Sequence, residues 1–98
     1  MLNIMVVDDE APIRDWLVYC IQKCPSATQV TSAVNGDEAY RMILETKPNV
    51  VFTDIRMPLM DGLELMSKVR EILPFTVFII LTNYAEFSYA KEAISLGA

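Results

Sequence analysis

Four side chains in this 98-residue chain combine a reactive type with a suggestive position. Asp8 and Asp9 follow the apolar run Leu2 to Val7, Asp54 follows Val50-Val51-Phe52-Thr53, and Thr82 follows the run Phe75 to Leu81. Taken singly, each is ordinary. An acid pair after a strand is usually a helix cap or a loop, an acid at a strand end is no rarer, and a threonine there is more often a turn residue than a site. Taken together, they all fall at the same edge of one expected sheet. If the strands are neighbours, three carboxylates and one hydroxyl converge. Like charges at that range resist ionising together, so the cluster must take up protons or hold a cation. Mg2+ suits it best, being satisfied by one or two carboxylates, waters and a substrate phosphate, whereas Ca2+ asks for more protein oxygens. The chain has no histidine, hence no imidazole ligand or base. Cys20 and Cys24, at helical i,i+4 spacing, read as two free thiols, because a single cysteine pair makes a poor zinc site.

The elements that must position these residues alternate. Leu2 to Val7 reads as a strand ended by Asp8-Asp9-Glu10. Pro12 suits the first turn of a helix, where its missing N–H does no harm. Ile13, Leu17, Cys20 and Ile21 recur with helical periodicity up to Pro25. Val30 to Val34 is a weaker, partly polar strand, Asn35-Gly36 a turn, and Ala39, Met42 and Ile43 mark a second helix stopped at Lys47-Pro48. The β-branched and aromatic run ending at Asp54 is a third strand. A loop with Pro58 and Gly62 leads to a helix marked by Leu65, Val69 and Ile72. Phe75 to Leu81 is the most apolar run and predicts a strand buried on both faces. Ala90, Ala93, Ile94 and Gly97 space a fourth helix. Such β-α alternation with short connections implies an α/β fold: a parallel sheet with helices on both faces and right-handed crossovers. Ligands of such sheets gather at the carboxyl ends of the strands.

Bulk composition narrows the function. Apolar residues make up 53% and charged residues 21% of the chain, as in a folded domain with one core. Thirteen acids against eight bases, a formal charge of -5, argue against this segment gripping nucleic acid, since phosphate contacts need excess Lys and Arg. Met1 to Val7 is too short, and lacks the basic start, for a secretory signal. No apolar stretch approaches the ~20 residues of a membrane span. A cytoplasmic location without membrane contact is the default expectation.

Three segments resemble one family, the receiver domains of two-component response regulators. Val6-Val7-Asp8-Asp9-Glu10 resembles the family's first strand and acidic pair. Asp54-Ile55-Arg56-Met57-Pro58-Leu59-Met60-Asp61-Gly62 is similar throughout to its phosphorylation loop, D-[IL]-x-M-P-x-M-[DN]-G. Ile79-Ile80-Leu81-Thr82 is similar to its fourth strand and hydroxyl. The resemblance covers all 98 residues and implies a flavodoxin-like doubly wound sheet with strand order 2-1-3-4-5. It implies that Asp54 is phosphorylated by a sensor histidine kinase and that Asp9 and Asp54 ligate Mg2+. Asp8 would help through water, the Arg56 backbone carbonyl would supply a further ligand, and Thr82 would hydrogen-bond a phosphoryl oxygen. It also implies a switch that takes part in its own phosphotransfer, not a turnover enzyme. Aspartate-nucleophile phosphohydrolases, the enzymatic rival, usually carry a second Asp where this chain has Arg56.

The family continues past Gly97-Ala98 into a fifth strand, a phosphate-pairing lysine and a fifth helix. Residues 1–98 therefore read as one truncated receiver domain, with Lys91 on the fourth helix no substitute for that lysine. Weak or absent phosphorylation of this segment is expected. So is association through the strand Phe75 to Leu81, as a homodimer or segment-exchanged dimer, because an apolar edge strand invites pairing. The stretch Asn83 to Ala93, with its Tyr-x-x-Phe-x-Tyr-Ala-x-x-Ala pattern, resembles receivers fused to AraC-type DNA-binding domains, so DNA would be bound by an output domain outside this segment. The alternative is a degenerate or truncated receiver that works only as a protein-interaction or dimerisation module.

Overall fold

The computed structural model describes residues 2–81. Seven elements alternate along them: β1 (Leu2–Val7), α1 (Ala11–Gln22), β2 (Ala27–Ala33), α2 (Gly36–Thr46), β3 (Val50–Asp54), α3 (Gly62–Ile72) and β4 (Val77–Leu81). The four strands form one sheet in the order β2-β1-β3-β4, with every neighbouring pair parallel. The strand order reverses after β2. With right-handed crossovers, that reversal sends α1 to one face of the sheet and α2 and α3 to the other. It also leaves a crevice at the carboxyl ends of β1 and β3, where ligands of such sheets bind.

The strand alternation shows which face holds the core. Met5, Val7, Val51 and Phe78 point to the same side and are buried with Ala39 and Ile43 of α2 and Leu65, Met66 and Val69 of α3. Each fully buried large apolar side chain contributes roughly 1.5–3 kcal/mol. Thr53 is buried on this face too, and its hydroxyl donates to the Asp54 carbonyl at 2.9 Å. The helices start and stop for local reasons. The Asn35 side chain caps α2 by accepting from Glu38 N–H, and Asp61 caps α3 by accepting from Glu64 N–H, both at 2.8 Å. Lys47 ends α2 in the left-handed conformation, ahead of Pro48.

Three sequence expectations need correction. The strand ending in Leu81 is not buried on both faces: Phe78 is buried, but Val77 is 53% and Ile79 41% exposed. Phe75 lies outside that strand and is 93% exposed, because Pro74-Phe75 form the turn after α3. β2 begins at Ala27, earlier than its β-branched residues suggest, because Leu2 and Asn3 of β1 pair with Ala27 and Gln29. The periodic stripe of α1 is only partly covered. No residue of α1 is buried, Leu17 and Ile21 are half-buried, and Ile13 and Cys20 are exposed. Thr82, Lys91 and the expected fourth helix lie outside the described residues.

Candidate functional site

The acid pair owes its place to β1, the most buried strand. From Ile4 onward every residue of β1 is buried, and the chain leaves the sheet with Asp8 N–H still donating to Ala33 of β2 at 3.2 Å. Asp8 is therefore only 2% exposed, whereas Asp9 and Glu10 reach solvent. The turn into α1 is closed from both sides. Glu10 N–H donates to Asp8 Oδ1 at 2.9 Å, and the Arg14 guanidinium reaches back from the first turn of α1 to the Asp8 carbonyl at 2.8 Å. Burial pushes the Asp8 carboxyl above its ordinary value of 3.8. The neighbouring Asp9 adds to that rise, while the Glu10 amide and Arg14 oppose it.

β3 runs beside β1 and delivers Asp54 at its carboxyl end. Asp54 Oδ1 accepts from the next amide, Ile55 N–H, at 2.8 Å, which orients the carboxylate on the strand tip. The loop that follows returns at once, with Gly62 N–H donating to Ile55 O at 2.7 Å. Within it, Leu59 takes a left-handed φ of 72° and is 81% exposed. A branched residue in that conformation is strained, at a cost of roughly 1–3 kcal/mol, and persists only where its surroundings hold it.

These two loops bring four carboxylates together. Asp8, Asp9, Glu10 and Asp54 each offer one oxygen, and all four oxygens lie within 4.8 Å of one another. Three of the four are the acids singled out from strand ends in the sequence, and the adjacency of β1 and β3 is what unites them. Glu10 is the addition. It stands next to the acid pair in the sequence, but a single glutamate at a helix N-cap carries no signal of its own. Arg14 was likewise invisible, since its role is a tertiary hydrogen bond. Arg56 is exposed on the loop after Asp54. Leu81 of β4 pairs with Asp54, and Thr82, the next residue, lies outside the described residues.

Crowded oxygens without a nitrogen or sulfur donor are a donor set for a hard divalent cation. The fit is good: one ligand atom from each of four acids sits within a few ångströms of the others, and one of those acids is almost wholly withdrawn from water. An ion there relieves both the mutual repulsion and the buried charge of Asp8.

Comparison with known proteins agrees with this geometry. Residues 4–98 match the response regulator receiver domain. The chain is 43% identical over 98 residues to the uncharacterized transcriptional regulatory protein YesN of Bacillus subtilis (strain 168), covering 99% of this chain and 27% of that protein. The receiver (REC) domain of AraT, a response regulator from Geobacillus stearothermophilus, superposes with a TM-score of 0.87 at 39% identity, covering 99% of this chain and 76% of that one. The N-terminal domain of an uncharacterized protein from Wolinella succinogenes superposes with a TM-score of 0.91 at 33% identity, covering 100% and 77%. The chain spans 27% to 45% of the length of the first three curated relatives, which include a protein-glutamate methylesterase/protein-glutamine glutaminase of Nitrosospira multiformis. With its parallel sheet, its acids gathered at one edge and this match along nearly its whole length, the chain belongs to the response regulator receiver domain family.

Proposed function

We propose that this chain is the phosphoacceptor of a two-component system, with Asp54 taking a phosphoryl group from the phosphohistidine of a sensor histidine kinase. The observation that carries the proposal is the meeting of Asp54 with Asp8, Asp9 and Glu10 at the switch point of the sheet. An Asp54 oxygen attacks phosphorus in line, the P–N bond breaks, and the imidazole leaves and is protonated by solvent. The product is an acyl phosphate, the covalent class formed by aspartate nucleophiles. Asp9, Asp54 and the Arg56 carbonyl would hold Mg2+ directly, with Asp8 acting through water. When bound, Mg2+ supplies positive charge to the phosphoryl oxygens. Thr82 is assigned to hydrogen-bond a phosphoryl oxygen, so that phosphorylation reorganises the chain after β4 and biases a surface that an output domain reads. By likeness to YesN and AraT, that output is transcriptional and the DNA contacts belong to another domain. The chemistry is one phosphorylation per cycle, not turnover of a metabolite.

Among the described residues no helix is long and apolar enough to cross a membrane, and we place the switch in the cytoplasm. The test uses Mg2+ with beryllofluoride, a phosphoryl mimic, and separately a small-molecule phosphoryl donor read by intact mass. Wild type should bind the mimic and Asp54→Asn should not. Equal binding by both would remove Asp54 from its role.

A second reading has its own support. Val77 and Ile79 of β4 and Phe75 before it each expose an apolar side chain, and β4 ends the strand order of the described sheet. Self-association through this edge would make the chain a dimerisation module. Light scattering that shows a monomer at high concentration would count against it.

A further inference from the structure

We propose that Gly36, on the connection from β2 to α2, is a positioning residue for Asp54. The proposal rests on Asp54 being the phosphoacceptor. Gly36 is the first residue of α2 and is buried. A Cβ built on it would stand 2.2 Å from the Met60 carbonyl oxygen and 2.8 Å from Met60 C and Cβ. Its φ is not left-handed, so conformational freedom is not the reason for a glycine. The reason is room: α2 begins in direct contact with the backbone of the loop that follows Asp54. Gly62, the first residue of α3, does the same at the other end of that loop, where a Cβ would stand 2.2 Å from the Asp54 carbonyl oxygen.

The loop between Asp54 and α3 is thus pressed by two helix starts. Met60 is only 8% exposed and packs in the core, so it has little room to retreat. Leu59, immediately before it, holds a left-handed conformation, which marks a backbone constrained from outside. A methyl at residue 36 must part α2 from Met60 by about 1 Å, and a displacement of that size, carried along the loop to Asp54, costs up to about 10²-fold at a reacting centre. Gly36 contributes no acid and lies outside the Asp54–Gly62 motif, yet it sets how far the loop, and with it Asp54, stands from Asp8 and Asp9.

The test compares Gly36→Ala with Glu45→Gly, a control at an exposed position near the far end of α2 that lowers stability through helix propensity. Amide resonances and the affinity for Mn2+, standing in for Mg2+, are measured at matched distance below each melting point. In Gly36→Ala, resonances of residues 54–62 should move more than in the control, and Mn2+ affinity should fall about tenfold. Shifts confined to α2, or Mn2+ affinity equal to wild type despite a shifted loop, would overturn the proposal. Failure of wild type itself to bind Mn2+ would sink the metal reading, and the resonance map alone would then decide whether Gly36 places the loop. Should Gly36→Ala not fold, Gly36→Ala/Leu59→Gly against Leu59→Gly alone makes the same comparison with the loop strain relieved.

Discussion

The two ends of the sheet are built from similar polar residues and use them in opposite ways. At the amino end a set of neutral polar groups pairs across the elements, with only the buried Asn3 Oδ1 of that set left without a partner. Asn3 N–H donates to Asn49 Oδ1 at 2.8 Å, Asn3 Nδ2 donates to the Thr46 carbonyl at 2.7 Å, and Asn49 N–H donates to the Asn3 carbonyl at 2.7 Å. The buried Thr76 hydroxyl donates to the Pro48 carbonyl at 3.1 Å. These bonds tie β1, α2, β3 and the start of β4 together. At the carboxyl end four acids gather in one place, where their like charges repel. The first arrangement is what stability asks for. The second opposes stability and is what a divalent cation asks for. Marginally stable domains tolerate such a site because the rest of the fold over-determines it.

The comparison can be broken by substitution at either end. Asn3→Ala removes the donor to Thr46 and leaves that carbonyl unanswered, which should cost about 1–3 kcal/mol in urea unfolding. A neutral outcome would mean the amino-end network is incidental. At the other end the sign reverses: Asp8→Asn should raise the melting temperature at neutral pH while weakening cation binding. Because burial raises the folded-state pKa of Asp8 above 3.8, the native state binds more protons than the unfolded chain between those two values. The contribution of Asp8 to stability is therefore fully present below 3.8 and is lost as pH rises through the raised folded value. The advantage of the asparagine variant should accordingly be absent in strong acid, grow through that window and then level off. Saturating Mg2+ should shrink it, by stabilising the wild type more than the variant. An advantage independent of pH would point to packing instead of charge.

Smaller effects sharpen the picture. Asn35→Ala removes a neutral cap at the carboxyl end and should cost about 1 kcal/mol, showing that this end loses stability through its acids and not through every polar residue. Trp16→Ala, on the exposed side of α1, should change stability within about 0.5 kcal/mol. A larger loss would mean that α1 is covered more fully in solution than its exposure indicates.

Much of this was legible in one dimension. The bounds of α3 follow from Asp61-Gly62 and Pro74, and the turn into α2 from Asn35-Gly36, because caps, glycines and prolines act within a few residues. The strand ends were legible because apolar runs stop abruptly at Asp8 and at Asp54. The misreadings came where the deciding interaction is remote. A run such as Phe75 to Leu81 looks alike whether one face is covered or two, and only its place in the core cluster separates Phe78 from Val77 and Ile79. The polar residues at the start of β2 pair because β1 lies beside them, not because of their own preference.

The sequence by itself determined which residues can do chemistry here, which strand tips carry them and which family's motif they spell. Those are properties of residue type and local spacing. Only the tertiary structure decided that β1 and β3 are neighbours, that Glu10 joins the acids, that Arg14 returns to the Asp8 carbonyl and that Gly36 leaves room for Met60. Each of these depends on the separation of atoms far apart along the chain, which hydrophobic burial and parallel pairing set and no local pattern encodes.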